Sequence, residues 1–157
     1  YNMSNKIKIG QAYNGFIGLV TDDMYVAMDE EDLMDELGDI LIAAMPRFRY
    51  PRVPLSTDGD DFSEGVTQSE VQIISMLMVE VWLERQINNI RLTELNISGN
   101  DAKALGTGSQ LRALEKIKDS HRKTVERQLK YYHYSQTGDG GVVEVRPLKL
   151  GGKSIIK

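Results

Sequence analysis

The longest apolar run in the chain is "VQIISMLMVEVWL", Val71 to Leu83, where ten of thirteen residues are hydrophobic and the only tryptophan falls. As a helix, thirteen residues span about 20 Å, short of the roughly 30 Å hydrocarbon core of a bilayer. Glu80 interrupts the run, and Glu84 and Arg85 close it, so a membrane span is not expected. A strand is disfavoured too, because the pattern continues through Ile87, Ile90 and Leu92 with no turn residue, beyond ordinary strand length. The pattern predicts a helix from about Ser69 to about Ile90, capped by Thr67 or Ser69. Gln72, Ser75 and Glu80 do not gather on one face. The helix is therefore expected to be enclosed on several sides, with Trp82 and Leu83 inside.

Two further helices flank it. In "DEEDLMDELGDILIAAM" the positions Leu33, Leu37, Ile40, Leu41 and Ala44 recur at helical spacing. Acidic residues crowd its first turns, where they suit the positive end of the helix dipole. Asp29 is the expected N-cap and Pro46 the expected stop. Downstream, Ser109 is expected to cap "SQLRALEKIKDSHRKTVERQLKYYHYSQ", whose apolar stripe is Leu111, Leu114, Ile117, His121, Val125, Leu129 and Tyr132. Its other faces are densely charged, with seven Lys/Arg against three Glu/Asp from Arg112 to Lys130.

The remaining segments read as extended. Residues 1–21 alternate apolar and polar groups in places and carry Gly10, Gly15 and Gly18, which predicts an arm or short edge strands. The stretch 46–66 holds three of the four prolines and an Asp58-Gly59 turn signal. "NISGNDAKALGTGSQ" reads as two glycine-rich turns around a short Ala-Lys-Ala-Leu piece. Beyond Gln136, "TGDGG" leads into the β-prone "VVEVRPLKL" and then "GGKSIIK". The expected fold is mainly α: a small helical bundle with extended N-terminal and C-terminal arms, the latter with a short β segment. The divisions are an arm over 1–28, a helical domain over 29–135 with the long loop at 46–66, and an arm over 136–157.

At 157 residues the length fits one domain of ordinary size. The absence of cysteine excludes disulfides, thiolate zinc sites and a cysteine nucleophile. No basic region followed by an apolar stretch and a small-residue cleavage site opens the chain, so no signal peptide is expected. The net charge of −4 conceals an asymmetry. Residues 1–45 hold two lysines against nine acids, and the rest holds 17 basic and 14 acidic residues. Two oppositely charged ends could associate head to tail between copies, or could be independently solvated surfaces.

Catalytic chemistry is not apparent. His121 and His133 are twelve residues apart on one helix, too far to share a metal; His121, on the apolar stripe, reads as a hydrogen-bonded core or boundary residue. Asp58, Asp60, Asp61 and Glu64 share a loop but lack the ligand spacing of a calcium loop. The glycine-rich "GTGSQ" and "GDGG" lack the lysine of a phosphate-binding loop. Neither a metal nor a cofactor is expected, and an enzyme is not expected. The "RFRY" loop and the helix Arg112–Lys130 are candidate nucleic-acid contacts, since cations neutralise phosphates and aromatics stack on exposed bases. A pI near 5.2 argues against a dedicated binder.

Three stretches together resemble the small head–tail connector (neck or adaptor) proteins of tailed bacteriophages. They are "DEEDLMDELGDILIAAM", "EVQIISMLMVEVWLERQINNIRLTELNISGNDAKAL" and "SQLRALEKIKDSHRKTVERQLKYYHYS", covering roughly residues 29–135. The resemblance implies a non-enzymatic virion component at the head–tail interface, assembled in the host cytoplasm. It would form a ring, a dodecamer with the portal's symmetry, that contacts the portal protein and the next connector or tail terminator. Viral DNA would pass through without sequence-specific binding, and no membrane is involved. Candidate partner or DNA-channel contacts are Arg47, Arg49, Arg52, Arg122, Lys123 and Arg127. Candidate docking residues of the C-terminal arm are Val142, Val143, Val145, Leu148, Leu150, Ile155 and Ile156. The alternatives are a DNA-binding packaging or regulatory module, or another minor virion protein such as a tail-completion or decoration protein.

Overall fold

The computed structural model describes residues 5–20, 29–96 and 101–137. Four helices account for most of them: α1 (Ile9–Leu19), α2 (Glu30–Ala44), α3 (Gln68–Asn96) and α4 (Asp101–Thr137). A 3-10 turn (Met45–Arg47) follows α2, and a two-stranded antiparallel hairpin, β1 (Thr57–Asp58) with β2 (Asp61–Phe62), lies in the long loop before α3. The mainly helical bundle expected from the sequence is the architecture observed.

The apolar helix α3 is the centre of the bundle, and each of the other helices packs on it. Three contacts give the arrangement. His121 of α4 bonds the carbonyl of Met76, Arg85 reaches Glu36 of α2, and Ser75 bonds the carbonyl of Ala12 in α1. Met76 and Arg85 are nine residues apart, about half a turn around the helix at 3.6 residues per turn, so α4 and α2 lie on opposite sides of α3. Ser75 is roughly a quarter-turn from each, which gives α1 the third side. That is why α3 needs an apolar surface nearly all round. Val71, Ile74, Leu77, Met78, Val81 and Leu83 are all buried. Leu83 is inside as expected, whereas Trp82 is only half-buried at the rim.

Helix α2 begins where its sequence signals it, with Asp29 in extended backbone and its carboxylate accepting from Glu30 N–H at 2.7 Å. Leu37, Ile40, Leu41 and Ala44 bury its apolar face. Pro46 ends the α-helix at Ala44 but is accommodated at the start of the 3-10 turn, where a missing N–H costs nothing.

Two expectations are corrected. Residues 9–19 form a helix, not an arm or edge strands, and bury Ala12, Tyr13 and Phe16 against α3. Packing of this face outweighs the weak helix propensity of its glycines. Among the described residues of this segment, the strand-like character is limited to Lys8, which makes an isolated bridge to Asp61 of β2. Ser109 is not a cap: α4 runs unbroken from Asp101 through Gly106 and Gly108. On the predicted stripe of α4, Val125 and Tyr132 are buried while Ile117 is 54% exposed. The expectations for the "VVEVRPLKL" arm, including Val142, Val143, Val145, Leu148, Leu150, Ile155 and Ile156, lie outside the described residues.

One buried node fastens the loop 46–66 to the bundle. Thr67 and Glu70 form a reciprocal capping box at the start of α3: Glu70 N–H donates to Thr67 Oγ1 at 3.4 Å, and Thr67 N–H donates to Glu70 Oε2 at 2.9 Å. Glu70 is fully buried. Its other oxygen accepts from Tyr132 Oη at 2.9 Å and lies 3.5 Å from Arg52 Nε. The Tyr132 hydroxyl in turn accepts the Arg52 backbone N–H at 2.7 Å. Burial, above all, raises the Tyr132 hydroxyl above its ordinary pKa; the bond to Glu70 acts in the same direction, and the Arg52 N–H opposes it.

Candidate functional site

The two basic stretches singled out from the sequence meet at the end of α4. His133 Nε2 donates to the Arg49 carbonyl at 2.9 Å, and the Tyr50 and His133 rings meet edge-on with centroids 6.2 Å apart. Beneath them Phe48 packs edge-on against Tyr132 at 5.1 Å, which anchors the "RFRY" loop through its buried aromatic. Arg49 is exposed, and Tyr50 is 83% exposed. Tyr50 also has a φ of 57°, the only positive value on a non-glycine residue among the described residues. For an L-residue that conformation costs about 1–2 kcal/mol. Pro51 follows directly, and a residue before proline is further disfavoured from helical backbone.

The loop delivers this exposed aromatic to one edge of a cationic face. At 100° per residue, Arg112, Lys116, Lys123, Arg127 and Lys130 fall within an arc of about 60° on α4, over about 27 Å of helix. All five are exposed. Among the described residues none of the five forms an ion pair. Tyr134, 68% exposed, continues the same face at its end. Two of the neighbouring acids are compensated by other cations: Glu115 by Arg91 at 2.6 Å and Glu126 by Arg122 at 3.5 Å. Asp119 lies about 20° beyond the edge of the arc, so among the described residues no acid falls within it.

The six cationic residues expected to contact partner or DNA therefore divide. Lys123 and Arg127 lie on the cationic face. Arg49 and Arg122 border a groove at its flank, and Arg122 is partly neutralised by Glu126. Arg47 and Arg52 are engaged by partners within the fold. Arg47 binds Glu80 at 3.1 Å and Glu84 at 2.5 Å, joining the 3-10 turn to α3. The bond from Arg47, first of all, holds the Glu84 carboxyl below its ordinary range, with Lys118 of α4 contributing further. Arg52 serves the Glu70 node and the Gly65 carbonyl. The sequence includes Arg112, Lys116, Lys130 and Tyr50 within the candidate helix Arg112–Lys130 and the "RFRY" loop without singling them out as contacts, and it misses Tyr134. The spacing of the cations, four or three or seven residues apart, is the signal that could have found the first three.

Chemistry elsewhere is absorbed by the fold. His121 and His133 each bond a main-chain carbonyl, at 2.6 and 2.9 Å. In the acidic loop, Asp58 pairs with Lys6 at 3.1 Å and Asp61 with Lys8 at 2.8 Å. Among the described residues no three His, Cys, Asp or Glu side chains gather as metal ligands, and no helix is long and apolar enough to cross a membrane. Comparison of the chain with protein-family models, with curated proteins and with solved structures finds no match in any of the three.

Proposed function

We propose that this chain is a structural subunit of a phage head–tail connector, a non-enzymatic adaptor that forms a ring under the portal and extends the DNA channel. The observation that carries this reading is the cationic face of α4. A net-negative protein concentrates five cations, none ion-paired among the described residues, on one exposed helical face. Such a face suits sequence-independent contact with phosphates passing along it. The acidic residues Glu31, Asp32, Asp35 and Asp39 of α2 lie across the central helix from it. In a ring, that disposition turns the cations toward the channel and the acids outward. Exposed Tyr50 and Tyr134 at the end of the cationic face suit a contact with the next protein of the neck, since aromatic residues are enriched at interfaces. In this reading the segment 138–157 docks on the portal or a neighbouring subunit, and the particle's location is the virion neck.

The same face on a solitary chain would make it a DNA-binding module, and one experiment separates the two. Light scattering of the full chain, alone and with the portal protein, is expected to show a ring-sized assembly. Salt-sensitive retention on double-stranded DNA is expected, and Lys123→Glu/Arg127→Glu/Lys130→Glu should abolish it. Each phosphate contact removed should lower the slope of log K against log salt by about 0.9. A chain that stays monomeric with the portal yet binds DNA would establish the module instead. Retention unchanged by the triple reversal would remove the cationic face from either account.

A further inference from the structure

The five cations of the α4 face are not evenly spaced. Arg112 and Lys116 form one cluster, and Lys123, Arg127 and Lys130 form another. The cluster centres stand about 19 Å apart along the helix at 1.5 Å per residue. Lys116 and Lys123 leave a gap of about 10 Å on the face. The two basic residues within its length, Lys118 and Arg122, turn to the flank, where they pair with Glu84 and Glu126. Beside the gap lies Asp119, which is exposed and forms no ion pair among the described residues.

This pattern distinguishes two ways in which a nucleic acid could lie on the face. A strand running along α4 sets its phosphates closer together than the gap, since one strand carries a charge about every 3.4 Å of duplex axis. One of those phosphates would fall beside Asp119, whose carboxylate repels it. A duplex laid across α4 makes a different demand. Its major groove is about 12 Å wide, and a phosphate group of about 3 Å on each rim brings the rims to roughly 18 Å apart. The minor groove, about 6 Å wide, gives roughly 12 Å in the same way. The cluster spacing of about 19 Å matches the major groove and leaves Asp119 over its opening, away from both backbones. We propose that α4 bridges the major groove of duplex DNA. Arg112 and Lys116 meet the phosphates of one strand, and Lys123, Arg127 and Lys130 meet those of the other. The bridge rests on the reading of the cationic face as a DNA contact; it adds the form of the nucleic acid, the groove, and the strand that each cation meets. All five contacts go to backbone, so the bridge reads no base.

The chain has no cysteine, so introduced thiols are the only ones present. Ala113→Cys and Thr124→Cys lie at exposed positions beside the two clusters and leave all five cations in place. The full chain carrying both, each thiol bearing an aryl azide, is irradiated on a short mixed-sequence duplex whose strands carry different dyes. The expected doubly linked product on a denaturing gel is one protein joined to both dyes. Doubly linked product carrying only one dye would overturn the bridge and leave the DNA contact standing. Asp119→Lys supplies a second measurement that needs no cross-link. Its slope of log K against log salt on the duplex should equal the parent's, whereas a rise of about 0.9, one further phosphate contact, would set a strand beside the gap and overturn the bridge. A parent chain that does not bind the duplex would overturn the bridge together with the contact it rests on. A chain that stays monomeric with the portal yet gives the two-dye product supports the bridge.

Discussion

Glu70 is the residue whose replacement should matter most. It is fully buried, caps α3 through Thr67, and accepts from the Tyr132 hydroxyl beside Arg52. Glu70→Ala is expected to cost about 3 kcal/mol, because it strands a tyrosine hydroxyl, a backbone N–H and a guanidinium. Tyr132→Phe should cost about 1–2 kcal/mol, and the double variant less than the sum, since both remove one shared bond; urea unfolding measures all three. A second residue-scale prediction concerns pH. Glu84 is held below its ordinary pKa chiefly by Arg47. A depressed folded-state pKa contributes stability that is present above the unfolded value, near pH 4.3, and is lost as pH falls through the folded one. Arg47→Met should therefore lower the urea midpoint at pH 7 and flatten its decline below about pH 4.3; an acid limb as steep as in the parent would show that Glu84 is not the group titrating. At this scale the sequence was partly legible. Thr67 and Glu70 carry the spacing of a capping box, but Arg52 and Tyr132 reach Glu70 across 18 and 62 residues of chain, which no local pattern encodes.

Between elements, α1 approaches α3 closely at Gly15. A Cβ built on Gly15 would stand 2.5 Å from Ser75 Oγ and 3.0 Å from Ser75 Cβ. Gly15→Ala is expected to destabilise by about 1–3 kcal/mol through overpacking, with Ser75→Ala relieving part of the loss. Gly18, in the same helix, has nothing within 4 Å of such a Cβ. Gly18→Ala should instead stabilise by about 0.5–1 kcal/mol. Thermal melts of the two variants moving in the same direction would contradict the placement of α1. These glycines are also why the sequence misled. Three in eleven residues depress helix propensity, and the reason for one of them, the close crossing at Ser75, exists only once α3 is packed. The same physics explains Ser109. Glycines at 106 and 108 looked like a break, yet a helix as long as the 37-residue α4 carries them at about 1 kcal/mol each. By contrast α2 and α3 were legible almost to their ends, because a strong cap, a proline stop and a long apolar run are local signals.

Over the whole molecule, the charge asymmetry between the two ends of the sequence becomes a spatial one, with α2 and α4 on opposite sides of α3. The all-round apolar character of α3 announced an enclosed helix but not which neighbours enclose it. The cationic face was half legible: the density of Lys and Arg was plain, while the loss of Arg47 and Arg52 to internal partners was not. Those losses are decided by Glu80, Glu84 and Glu70, which lie on a different helix. The Glu70 node also bears on the order of folding. Its bonds join positions 62 and 80 residues apart, whereas the pairing of α3 with α4 closes through a short connection. Contacts across long loops carry a larger closure entropy. The helical hairpin is thus expected to form first and the node to close late, like a latch, an order that φ-values at Leu77 and Tyr132 would check. Weakening a latch of that kind shortens the lifetime of the native state while leaving the rate of its formation nearly untouched.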